Sequence, residues 1–214
     1  MNERMEQYRV ENIDTEANLR KKIKDVEPIE SSGSTLLTKD TMKDYVEEPC
    51  LEACMYLYNL NIRTYMSSAN KKNVGNNGGI SIYFDDSLSD ENKQIIQDLI
   101  NRGNKNLNID EYDVTTASID VPITEETTVG EFKDKLMKIV SSLKMQDVLY
   151  GRYSREEAVK KIRGWFGIQD LDVDEQLIKD AGFCYCKEDD IYFENEELLR
   201  KHLDYKKREL GQEL

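Results

Sequence analysis

Ile62-Arg63-Thr64-Tyr65-Met66 and Gly79-Ile80-Ser81-Ile82-Tyr83-Phe84 are the two segments on which the fold turns. Both are short and rich in β-branched and aromatic side chains, the composition of strands. Between them lies a polar, glycine-bearing run, Ser67 to Gly79, so the pair reads as a hairpin with a long connection. Upstream, Pro49 suits the first turn of a helix, where its missing N–H has no partner to lose. Leu51, Cys54, Leu57 and Tyr58 then recur at helical spacing on one face. Downstream, Asp86, Ser87 or Ser89 caps a second helix with the apolar face Ile95, Ile96, Leu99 and Ile100, and Gly103 stops it. Val114 to Ile123 is a further strand, with Ala117, Ile119 and Val121 on one side.

Beyond Pro122 the pattern turns helical. Thr128 with Glu131, and Ser154 with Glu157, are capping-box signatures. The first opens a helix burying Phe132, Leu136, Ile139, Val140 and Leu143. The second opens one burying Ala158, Val159, Ile162, Trp165 and Phe166. A shorter helix spans about Val173 to Ala181. Phe183 to Cys186 and Ile191 to Phe193 then form a β-hairpin, and a last helix carries Leu198, Leu199, His202 and Leu203 on one face.

The expected fold class is therefore α+β. A helix-strand-strand-helix-strand lobe occupies 48–124, and becomes ferredoxin-like if 34–38 supplies a preceding strand. A mainly helical lobe with one β-hairpin near 183–193 occupies 125–214. Residues 1–47, highly charged and weakly patterned, form a partly ordered arm over the rest.

Forty-three acids against thirty bases leave the 214-residue chain at −13. Such a chain repels nucleic-acid phosphate, so no direct nucleic-acid contact is expected; a basic protein surface is the partner its field would attract. No run approaches the roughly 20 apolar residues of a membrane span. The first residues lack the apolar stretch of a secretory signal, so no membrane association and a cytoplasmic setting are expected. The cysteines agree, since Cys50, Cys54, Cys184 and Cys186 do not form the dense framework of small secreted domains.

Candidate chemistry is sparse. Neither cysteine pair has the two-residue gap of zinc knuckles, and His202 sits between Leu199 and Leu203 as a core residue would. With one histidine there is little for general-base chemistry to draw on. No catalytic residue, metal or cofactor is expected. Asp170, Asp172 and Asp174 begin like a calcium loop, but its sixth and twelfth positions are Glu175 and Ala181 rather than Gly and Glu. The 67–79 connection could cradle a phosphate with Ser67, Ser68, Lys71 and Lys72, and Asp85 and Asp86 could hold magnesium. It joins two strands, however, so no helix dipole would point at the ligand.

Charge distribution says more. From Asp170 to Glu197 there are eleven acids against Lys179 and Lys187. Asp170, Asp172, Asp174, Glu175, Glu188, Asp189, Asp190 and Glu194 are the candidate partner-binding surface, interleaved with Phe183, Tyr185, Tyr192 and Phe193. Half of these aromatics should face inward, because side chains alternate along a strand.

Three stretches, EPCLEACMYLYNLNIRTYMSSANKK (48–72), GGISIYFDDSLSDENKQII (78–96) and KMQDVLYGRYSREEA (144–158), resemble a pattern in uncharacterised small acidic proteins of bacteria and mobile elements. The resemblance spans roughly residues 48–206 and implies a shared fold, with no activity attached. The expected function is a non-enzymatic protein-interaction module, such as a phage or mobile-element inhibitor that occupies a basic nucleic-acid-binding surface. The alternative is a small enzyme or ligand-binding domain for a phosphorylated metabolite, using the 67–79 loop with Asp85 and Asp86. A homodimeric accessory role is the third.

Overall fold

A computed structural model describes residues 16–29, 38–111 and 114–211. The chain divides into two compact units, Met1–Met145 and Gln146–Leu214. No helix among the described residues is long and apolar enough to cross a membrane.

The first unit runs α1 (Glu16–Arg20), α2 (Met42–Tyr45), α3 (Glu48–Asn59), β1 (Thr64–Ser68), β2 (Asn77–Tyr83), α4 (Phe84–Ser87), α5 (Asp90–Asn101), β3 (Leu107–Glu111), β4 (Thr115–Pro122) and α6 (Val129–Val140). Its sheet has the order β1-β2-β4-β3, with every neighbouring pair antiparallel. Alternation along β2 and β4 sends Ile80, Ile82, Ala117, Ile119 and Val121 into one core with Cys54 and Leu57 of α3 and Phe132, Leu136 and Val140 of α6. On the alternate positions Ser81 and Ser118 meet through their hydroxyls at 3.0 Å. Gly79 is fixed by its neighbour: a Cβ there would stand 1.8 Å from the Ile119 carbonyl oxygen.

Part of the segment read as an arm contributes to this core. Ile23, Val26, Met42 and Val46 are buried in it. Glu47, also buried, draws distant segments together by accepting from the backbone N–H of Ala69 at 2.5 Å and of Ile29 at 3.3 Å and from the Asn70 side-chain Nδ2 at 2.5 Å.

The second unit runs β5 (Arg152–Tyr153), α7 (Arg155–Phe166), α8 (Glu175–Asp180), β6 (Cys184–Cys186), β7 (Ile191–Phe193) and α9 (Glu196–Glu209). Its sheet is three-stranded, β5-β7-β6, and antiparallel. Tyr192 packs with Ala158 and Ile162 of α7, Ile178 of α8 and Phe183. The next residue, Phe193, lies against the His202 ring of α9, with centroids 5.0 Å apart. One face of the small sheet thus serves α7 and α8, and the other serves α9.

The class α+β stands, but the expected order of elements does not. A strand, β3, lies between the second helix and Val114, and β5 joins the C-terminal hairpin as a third strand. The ferredoxin-like arrangement places two strands side by side in parallel, and this sheet contains no such pair among the described residues. The strand expected at 34–38 lies, apart from Thr38, outside the described residues. The sequence Leu107-Asn108-Ile109-Asp110-Glu111 conceals β3 because an edge strand buries little and reads as polar connection.

Candidate functional site

Two features of the second unit concentrate its chemistry: a half-buried polar cluster around the buried His202 of α9, and exposed apolar side chains at the end of α7. The cluster begins with helix spacing. Asn195 caps α9 by accepting from Leu198 N at 3.0 Å, and Leu198 and His202, four residues apart, both turn inward. Asp190 adopts a left-handed φ of 55° that closes the β6–β7 turn, with its neighbour Asp189 reaching α9.

His202, 1% exposed, is bracketed by carboxylates. Its Nδ1 lies 2.8 Å from Asp147 Oδ1 and its Nε2 lies 2.7 Å from Asp189 Oδ2. Asp189 Oδ1 accepts from Lys206 Nζ, and Cys186 Sγ points at Asp189 Oδ2 from 3.5 Å. Asp147 is fixed in turn by Arg152 Nη1 at 3.2 Å and by Val148 N at 2.7 Å. The Lys206 ammonium, followed by His202, holds the Asp189 carboxyl far below the usual range. Burial pushes the Cys186 thiol up, so it is no activated nucleophile. The donor atoms of Cys186, Asp189 and His202 all lie within 4.8 Å of one another, a spacing from which one metal ion can be held.

The eight acids read as a partner surface divide. Asp189 is consumed by the cluster just described, Glu194 pairs with Lys161 at 3.1 Å, and Glu175 binds both Arg155 at 2.7 Å and the Tyr192 hydroxyl at 2.7 Å. Asp174 caps α8 and Asp190 accepts from the Tyr185 hydroxyl. Asp170, Asp172, Asp174, Glu188 and Asp190 nevertheless remain solvent-exposed.

The patch is where α7 departs from expectation. Trp165 and Phe166, read as core, are 53% and 58% exposed, and Ile168 beside them is 51% exposed. The inward stripe of α7 is real at Ala158 and Ile162, but it outruns the layer that covers it. Trp165 retains one covered face, stacked on Phe183 with centroids 5.6 Å apart. Gly167, at a φ of +66°, then ends the helix and leads directly into Asp170 and Asp172.

The loop of the alternative reading does not assemble. Ser67 and Ser68 belong to β1, and Lys71 and Lys72 to a short 3-10 turn capped by Asn70. Asn73 accepts from Ser68 Oγ at 3.0 Å and from Asn70 N at 3.0 Å, while Lys71 pairs with Glu27 at 2.6 Å. Asp85 and Asp86 sit on α4 at the opposite end of β2, about 20 Å from the lysines at strand rise.

Comparison with protein-family models, with curated proteins and with solved structures returns no match.

Proposed function

We propose that this chain is a non-enzymatic protein-interaction module whose second unit docks on a basic partner surface bearing an apolar side chain. The observation that carries this reading is the patch Trp165, Phe166 and Ile168, three large apolar residues more than half exposed within four positions. Large apolar side chains left exposed this close together in the chain mark binding surfaces, and aromatic residues dominate interface energetics. The exposed acids Asp170, Asp172 and Asp174 follow at once in the chain. The aromatics supply buried area, and the carboxylates select a basic partner and speed the encounter. Occupying such a surface would block its phosphate contacts, which makes inhibition of a nucleic-acid-binding protein the natural mechanism. Four free thiols suit a reducing compartment, the cytoplasm.

The test uses an amphipathic lysine–leucine peptide and its glutamate–leucine counterpart as probes of the full chain. The basic peptide should bind, with affinity falling as salt rises, and the acidic one should not. Equal binding of both, or no dependence on salt, would remove the reading.

A further inference from the structure

We propose that the second unit holds a single Zn²⁺ ion, ligated by Cys186 Sγ, Asp189 Oδ2 and His202 Nε2, with the exposed carboxylate of Glu188 or water facing the fourth position. The three donor atoms come from three pieces of the unit, the end of β6, the β6–β7 turn and α9, and converge within 4.8 Å of one another. Glu188 Oε2 lies 3.9 Å from Cys186 Sγ.

The contacts of the His202 ring suit it to a ligand role. Asp147 Oδ1 and Asp189 Oδ2 are both acceptors, and they face the two nitrogens of one ring at 2.8 and 2.7 Å. On binding, Zn²⁺ takes Cys186 Sγ as thiolate and His202 Nε2 as a bare nitrogen, and any proton on either atom leaves to solvent. Nε2 and Asp189 Oδ2 part slightly to admit the ion, because two ligands about 2.0 Å from a tetrahedral Zn²⁺ stand about 3.3 Å apart. The neutral ring keeps its Nδ1–H on Asp147, the carboxylate–histidine–metal arrangement that orients zinc-bound imidazoles. Asp189 divides its oxygens in keeping with this, Oδ1 to Lys206 and Oδ2 to the site. The Lys206 cation opposes the ion, and the Asp147 and Glu188 carboxylates offset it. A sulfur, nitrogen and oxygen set suits Zn²⁺, whereas Mg²⁺ and Ca²⁺ take oxygen alone.

Cobalt supplies the readout. The full chain, reduced with a phosphine and freed of metal by a chelator, is titrated with Co²⁺ and then with Zn²⁺. One equivalent of Co²⁺ should produce the near-ultraviolet charge-transfer band of a cobalt–thiolate bond, and Zn²⁺ should erase it. The variant Cys50→Ala/Cys54→Ala/Cys184→Ser, which leaves Cys186 as the one thiol and the cluster intact, should keep the full band. Cys186→Ser should abolish it and weaken Zn²⁺ binding at least tenfold. Absence of the band in the native chain, its loss from the folded three-cysteine variant, or its survival in Cys186→Ser would overturn the assignment.

Discussion

His202 Nδ1 lies 2.8 Å from Asp147 Oδ1, joining α9 to a residue 55 positions earlier, at the start of the second unit. This bond fixes the ring at one nitrogen and so determines where the other points. Asp147→Ala leaves the buried ring facing an empty acceptor site, and should destabilise the second unit by about 2 kcal/mol, the scale of a lost buried hydrogen bond to a charged group. Denaturant unfolding followed by circular dichroism measures it.

Gly79 and Ile119 define how closely β2 and β4 approach. Gly79→Ala places a Cβ 1.8 Å from the Ile119 carbonyl oxygen, and backbone cannot give way as a flexible side chain can. The substitution should cost about 4 kcal/mol or prevent folding of the first unit. Gly103→Ala is no control for this, because Gly103 has a φ of +81°. Gly164→Ala is one: it lies within α7 with nothing within 4 Å, and should leave stability unchanged or slightly raised.

The capping boxes were legible because their residues meet within one turn. Ser154 Oγ accepts from Glu157 N at 3.2 Å and Glu157 Oε2 from Ser154 N at 2.7 Å, and Thr128 and Glu131 do the same. Ser154→Ala should lower the stability of the second unit by about 1 kcal/mol, read as a lower unfolding midpoint with an unchanged slope.

Tyr192 should govern the alkaline limit of the second unit. Burial, then the neighbouring Glu175 carboxylate, pushes its phenol up to about 12. A raised pKa favours the protonated form in the fold, so this contribution is complete below the unfolded value near 10 and is lost as pH rises toward 12. Tyr192→Phe should flatten that loss. The check is unfolding free energy against pH between 9 and 12, with the native chain declining more steeply than the variant.

What the sequence hides follows from distance along the chain and from edges. The helices α3, α5, α6, α7 and α9 were evident because apolar spacing and caps are local properties. The edge strands β3 and β5 were not, since they bury little and owe their form to partners elsewhere. His202 was read as core, which its 1% exposure matches, but its carboxylate partners at 147 and 189 could not be seen. The acid run was visible as composition, yet Glu175, Asp189 and Glu194 are tied to Arg155, Lys206 and Lys161 on other elements. The patch at Trp165 and Phe166 was hidden for the opposite reason: helical periodicity continued where the core did not.

Trp165 is the single tryptophan of the chain, so its fluorescence reports on the patch alone. The deciding measurement is iodide-free acrylamide quenching of Trp165 in the full chain, with and without the basic amphipathic peptide, beside the variant Phe166→Ser/Ile168→Ser. The peptide should shield Trp165 and shift its emission to the blue in the native chain, and the variant, equally stable, should bind at least tenfold more weakly. Binding that leaves Trp165 as accessible as before, or that the variant retains in full, would contradict it.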